Sequence, residues 1–161
     1  MSSMWGNSVR ISIFGESHGP SIGVVMEGIP SGFILDMEQI AAHMARRAPG
    51  QMPWSTKRSE KDEPVILSGM YLGKTTGTPL CAMIKNTDTH SSDYSALADK
   101  PRPGHADLTG LARYNGANDP RGGGHFSGRI MAPLTFAGAV CMQILASRGV
   151  QIHAHIYEIA G

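Results

Sequence analysis

Hydrophobic and polar positions alternate along Val9–Phe14 in the manner of a strand, with Val9, Ile11 and Ile13 separated by Arg10 and Ser12. A glycine-flanked turn, Gly15-Glu16-Ser17-His18-Gly19-Pro20, follows at once. Ile22–Met26 predicts a second strand, stopped by Gly28-Ile29-Pro30-Ser31-Gly32. A helix is expected to open at Asp36, with Gln39 in capping-box position and an apolar face of Ile40, Ala41, Met44 and Ala45. Arg46 and Arg47 fall in its last turn, before Pro49-Gly50. Residues 50–64 are polar and read as a mobile loop. Val65–Leu67 and Leu80–Ile84 predict two more strands.

From Asn86 to Gly104 regular signals are few, apart from a short helical pattern near Asp93–Asp99. Loops of this length are usually functional or disordered. Asp107 is expected to cap a short helix reaching Tyr114. A long apolar helix from about Ser127 to Arg148 would set Ile130, Leu134, Ala137, Cys141 and Ile144 along one face. Val150–Ile156 reads as a strand after Gly149. The sum is an α+β fold with no internal repeat. The end at Glu158–Gly161, directly after an apparent strand, leads us to expect a piece of something longer.

Composition narrows the class. With 161 residues, 41% of them hydrophobic and 17% charged, the chain suits one soluble domain with a real core. A net charge of +1 argues against a nucleic-acid or membrane partner. The apolar stretch Ile130–Ala146 is shorter than the ~20 residues of a membrane span and contains Pro133 and Gln143, so it reads as a core helix. Cys81 and Cys141 lie in apolar runs, as buried thiols of a reducing, cytoplasmic compartment do. The N-terminus carries no export pattern.

The arginines say more than the net charge. Arg46, Arg47, Arg58, Arg102, Arg113, Arg121 and Arg129 sit in or beside glycine- and proline-rich segments, while the acids are spread elsewhere. This favours a small, multiply anionic ligand. The densest segment is Asp119-Pro120-Arg121-Gly122-Gly123-Gly124-His125-Phe126-Ser127-Gly128-Arg129. Successive glycines let the backbone approach a ligand, and the N-terminal end of the following helix would add positive potential there. Asp119 and Arg121 could equally form a structural ion pair. His18, His105 and His125 lie in glycine-flanked loops and suit proton transfer near neutral pH. His153 and His155 have the spacing of a metal pair, but no third ligand completes a metal motif, and no metal is expected.

Taken in order, Gly15–Gly19, Gly28–Gly32, Arg46–Gly50, Thr76–Pro79, Asn86-Thr87-Asp88, Arg102–Asp107 and Arg121–Arg129 resemble chorismate synthase across nearly the whole chain. The resemblance implies the family's layered sheet–helix–sheet architecture, with residues 1–161 as a single domain or fragment from the N-terminal half of a much longer chain. It implies a lyase that converts 5-enolpyruvylshikimate 3-phosphate to chorismate and phosphate by trans-1,4-elimination. That reaction belongs to the shikimate pathway of aromatic amino-acid biosynthesis. It requires reduced FMN, for which NADPH is a candidate reductant, in a cytoplasmic homotetramer.

Residue by residue, the resemblance makes His18 and His105 catalytic. His125, Phe126 and Ser127 would contact FMN. Ser17, Arg47, Arg102, Gly128 and Arg129 would bind substrate. Many members have Arg-Ser-Ser in place of His125-Phe126-Ser127. A further family arginine is replaced by Pro53, with Lys57 and Arg58 as the two candidates to compensate. The alternatives are a catalytically incomplete FMN- or phosphate-binding fragment and a structural module.

Overall fold

Strand β3, Ser21–Glu27, organises the fold. Its alternate side chains Ile22, Val24 and Met26 are wholly buried, because successive strand residues face opposite sides of a sheet. The structure, a computed structural model, describes residues 3–49, 60–88 and 100–160. Strands β1 (Met4–Trp5), β2 (Arg10–Gly15), β4 (Val65–Ser68) and β7 (Leu80–Lys85) join β3 in an antiparallel sheet ordered β1-β2-β3-β7-β4. Register sets Val24 between Ile13 and Ala82, and Ala82 beside Ile66. The core-facing row therefore runs through four strands. A small ribbon of β5 (Met70–Tyr71) and β6 (Lys74–Thr75) stands apart.

Two helices cover the Ile22–Val24–Met26 face. Helix α3 (Met131–Ala146) lies against β3 and β7, and α1 (Met37–Arg47) packs against α3. The cap expected for α1 is present, with the Asp36 side chain accepting from Gln39 N at 2.9 Å. The return bond of a capping box comes from elsewhere. Asp36 N donates to buried Gln143 Oε1 on α3, and Gln143 Nε2 donates to the Asp36 carbonyl, both at 2.9 Å. Among the described residues this is the sheet–helix part of the expected layering, in an α+β fold.

Several expectations need correction. Val150–Ile156 forms no strand: among the described residues it has no ladder partner. The apolar helix begins at Met131, after a 3₁₀ turn at Gly128–Ile130. Its buried side is broader than one stripe and centres on Ala132, Phe136, Ala139, Val140 and Gln143, because it meets both the sheet and α1. Gly128–Ala146 is apolar and long enough to cross a membrane, yet half of that window is buried in the fold as its central helix. Asp107 does not cap α2 (Asp107–Arg113) but is its first residue. Cys81 and Cys141 are half-buried free thiols, and burial raises the pKa of both. Residues 60–64 pack into the structure as described below. The Asp93–Asp99 helix, Pro53, Lys57 and Arg58 lie outside the described residues.

Candidate active site

Gly122, Gly123 and Gly124 adopt φ of 60°, 83° and 55° in succession. That left-handed run is costly for any residue bearing a Cβ. The close approaches are specific as well. A Cβ on Gly122 would lie 2.5 Å from the His18 ring and 2.9 Å from Ser17 Oγ, and one on Gly124 would overlap the Asp119 carbonyl. Gly123 is different. Among the described residues, a Cβ there would meet Ser127 at 3.7 Å and Arg102 Nη2 at 3.9 Å, both ordinary contacts. The glycine run thus admits the Ser17-His18 turn on one side and leaves an open side toward Arg102 and Ser127. The turn is tied to the loop by Ser17 N donating to the Gly124 carbonyl at 3.0 Å.

Each arginine here is oriented by a carboxylate. Arg102 donates to Asp107 from Nε at 2.8 Å, from Nη2 at 3.0 Å and from its backbone N at 3.0 Å. The side-chain bond from Arg102 is the main reason the Asp107 carboxyl is lowered to about 2. Arg121 Nη2 lies 2.7 Å from Asp119 Oδ2, the structural pair open in the sequence, and its side-chain bond chiefly holds Asp119 below the usual carboxylate range. His105 follows Arg102 on an exposed turn, its N donating to the Arg102 carbonyl at 3.3 Å.

Arg129 and Arg47 meet carboxylates that the sequence reading passed over. Arg129 is almost wholly buried. It pairs with Glu60 at 2.9 Å and with Asp62, and its Nε donates to Asn86 Oδ1 at 3.0 Å. Arg47 Nη1 donates to the other oxygen of Asp62 at 2.5 Å, and its Nη2 donates to the Gly128 carbonyl at 3.2 Å. The four charges of Arg47, Arg129, Glu60 and Asp62 cancel. The acids are therefore not spread away from the arginines: Glu60, Asp62, Asp107 and Asp119 all come to them. Glu60 and Asp62 are buried while Lys61 and Glu63 between and beside them are exposed, just before β4. All four of these residues are charged, so the sequence does not mark which of them turn inward; the fold does, with Asp62 in the left-handed region at a φ of 54°.

The remaining expected residues are placed as follows. His125 Nδ1 lies 2.7 Å from the Gly15 carbonyl and Nε2 lies 2.6 Å from Ser3 Oγ. A carbonyl only accepts, so Nδ1 carries hydrogen, and a neutral ring accepts from Ser3 at Nε2. Both ring nitrogens are thus engaged within the chain. The Phe126 ring is 41% exposed and stands over Gly110, with its centroid 6.0 Å from that of Tyr114. Ser127 Oγ accepts from Arg129 N at 3.3 Å and caps the 3₁₀ turn. That turn intervenes between the loop and α3, so the N-terminus of the long helix lies one turn beyond the glycines. Phe126 and Gly123 line an open cleft with Pro101, Asp107, Leu111 and Asn118. Asn118 Oδ1 is the single buried side-chain oxygen without a partner among the described residues. No group of three or more metal-ligating side chains occurs among them.

Fold and site together define a mixed α+β protein that gathers two histidine-bearing turns and an arginine–carboxylate framework around a glycine loop. The chorismate synthase family model matches residues 9–161. Similar curated relatives include the chorismate synthase of Methanococcoides burtonii, 47% identical over 98% of this chain and 43% of its own. That of Ralstonia pickettii is 49% identical over 92% and 41%. A solved structure described as a crystal structure of chorismate synthase superposes with a TM-score of 0.62 at 29% identity, covering 90% of this chain and 36% of its own. The chain belongs to the chorismate synthase family, a family of lyases, and it spans less than half the length of the curated relatives it matches.

Proposed function

We propose that this chain supplies the N-terminal part of an active site that eliminates phosphate from 5-enolpyruvylshikimate 3-phosphate to give chorismate. One observation supports this beyond family membership. The Ser17-His18 turn approaches the Gly122–Gly124 loop at Gly122 and Arg102 approaches it at Gly123, where the backbone is uncrowded among the described residues. His18 is then the general acid that protonates the departing phosphate, and His105 holds or supplies a proton on the opposite turn. Ser17, Arg102 and the Gly128 turn bind the anionic groups. Arg47, paired with Asp62, joins this substrate-binding set through its bond to the Gly128 carbonyl at 3.2 Å. Arg129 has four N–H groups committed inside the chain, to Asn86, Asp62, Glu60 and, at 3.4 Å, the Lys85 carbonyl. It therefore acts mainly by anchoring the framework.

Reduced FMN fits the cleft by its chemistry. Phe126 offers an exposed ring face, Gly123 an uncrowded backbone, and Asn118 Oδ1 a buried acceptor lacking a donor. Phe126, Ser127 and the edge of His125 would hold it, and when bound it supplies the electron chemistry of an elimination with no net redox change. NADPH as reductant, a homotetrameric assembly and a cytoplasmic location complete the reading, with no nucleic acid or membrane as partner. A second reading, an incomplete flavin- or phosphate-binding unit, is favoured by the chain spanning only 41–44% of its relatives' length. Anaerobic assay of these residues joined to the further length that their relatives carry, with reduced FMN and 5-enolpyruvylshikimate 3-phosphate, tests the choice. Phosphate release with chorismate formation is expected, and FMN binding without release would favour the second reading.

A further inference from the structure

The Asn86-Thr87-Asp88 segment has no part in the roles above, yet it lies where the two halves of the site meet. Asn86 Nδ2 donates to the Glu16 carbonyl at 3.0 Å and to the Gly19 carbonyl at 2.8 Å, spanning the turn that bears Ser17 and His18. Its Oδ1 accepts from Arg129 Nε at 3.0 Å. Its backbone N donates to the Pro20 carbonyl at 3.1 Å. The next two backbone N–H groups, of Thr87 and Asp88, both donate to Glu60 Oε1, at 2.7 and 3.1 Å. One short segment at the end of β7 therefore grips the His18 turn with one residue and the Arg129–Glu60 pair with all three.

We propose that Asn86 is a positioning residue that fixes the His18 turn relative to the Arg47–Asp62–Arg129–Glu60 quartet. The proposal rests on the reading of His18 as the general acid. A primary amide of this length presents two donors and an acceptor at once, and each is used here. Aspartate would keep the acceptor for Arg129 but face two carbonyl oxygens with no hydrogen to give. Alanine would remove both links. A proton donor must be held within a few tenths of an ångström of its target, and small misplacements cost rate more than binding.

The test uses Asn86→Asp and Asn86→Ala in a protein that joins these residues to the further length their relatives carry, read by amide hydrogen exchange and by steady-state kinetics. In both variants the Ser17 and His18 amides should exchange about tenfold faster or more, while amides of β3 and α3 keep their protection. In Asn86→Asp, kcat should fall roughly 10–100-fold with KM little changed, since the Arg129 quartet is intact. Faster exchange at the turn without loss of kcat would support the positioning and remove His18 from the chemistry, a failure of the functional reading alone. Unchanged exchange at Ser17 and His18 overturns the proposal. So does a general rise that includes β3 and α3, which would make Asn86 a residue of overall stability. Asn86→Ala, which adds no charge, keeps the test decisive if the aspartate variant does not fold.

Discussion

Arg102 and Asp107 show how single residues set the site. The ion pair is three hydrogen bonds deep, and the Arg102 side-chain bond is what lowers the Asp107 carboxyl to about 2. A carboxyl lowered on folding adds stability that is present in full above its unfolded pKa, near 3.9, and lost as pH falls through the folded value. Arg102→Met should therefore return the Asp107 titration, followed by carboxyl carbon NMR, toward the ordinary aspartate range. The variant's stability should then vary less between about pH 4 and pH 2. A midpoint still near 2 would show that another group lowers it. At the histidines, His18→Ala and His105→Ala in a full-length enzyme that contains these residues should each slow turnover by ~10²–10⁴ with substrate binding largely kept. Near-normal single-turnover rates would take the residue out of the mechanism. Gly123→Val should sharply weaken flavin binding, through both its φ of 83° and the space its side chain would take. Unchanged affinity by titration would move the cofactor away from this loop.

Among the elements, α3 carries the most consequence, because one polar residue on it completes the cap of another helix. Gln143 is buried and exchanges two hydrogen bonds with the Asp36 backbone. Gln143→Leu preserves bulk but takes the partner from the Asp36 N–H, while the Asp36 carbonyl keeps its bond from Ile40 N at 3.2 Å, a net loss of about 1 kcal/mol for one part-buried hydrogen bond. The expected loss is of that order in urea unfolding, with α1 losing amide protection before β3. A fully stable variant would mean that water replaces Gln143. The glycine loop teaches a related lesson. It is not the N-terminus of α3 but a separate left-handed segment. Its open side is formed by Arg102 and Ser127, and Arg102 comes from the turn before α2.

For the whole molecule, length is the leading fact. The chain covers 42–43% of relatives with which it shares 43–47% identity. The sheet's second face, carrying Ser12, Phe14, Val25, Cys81 and Met83 by register, is only partly buried, and Phe14 and Val65 are well exposed. Apolar surface of this extent seeks a partner. Residues 1–161 expressed alone should therefore self-associate in light scattering. They should also release no phosphate from 5-enolpyruvylshikimate 3-phosphate with reduced FMN, because groups converging on one ligand lose affinity steeply when part of the set is missing. Steady turnover by a monodisperse monomer would place the whole active site within these residues.

Local order was legible in the sequence because local order is periodic. The strands of residues 10–15, 21–27, 65–68 and 80–85, the α1 cap at Asp36 and the glycine loop all follow from spacing of two or 3.6 and from residue-specific backbone freedom. The ordered motifs likewise identified the family before any coordinate. Val150–Ile156 misled for the same reason: alternation satisfies a strand's faces but cannot supply the neighbour whose hydrogen bonds make it one. What tertiary structure alone decided was pairing at a distance. Glu60 and Asp62 meet Arg129 across nearly seventy residues, Gln143 meets Asp36 across more than a hundred, and Asn86 reaches back to the His18 turn. Charge and amide partners carry no period. A buried arginine requires a carboxylate, but which one arrives depends on where the sheet returns the chain.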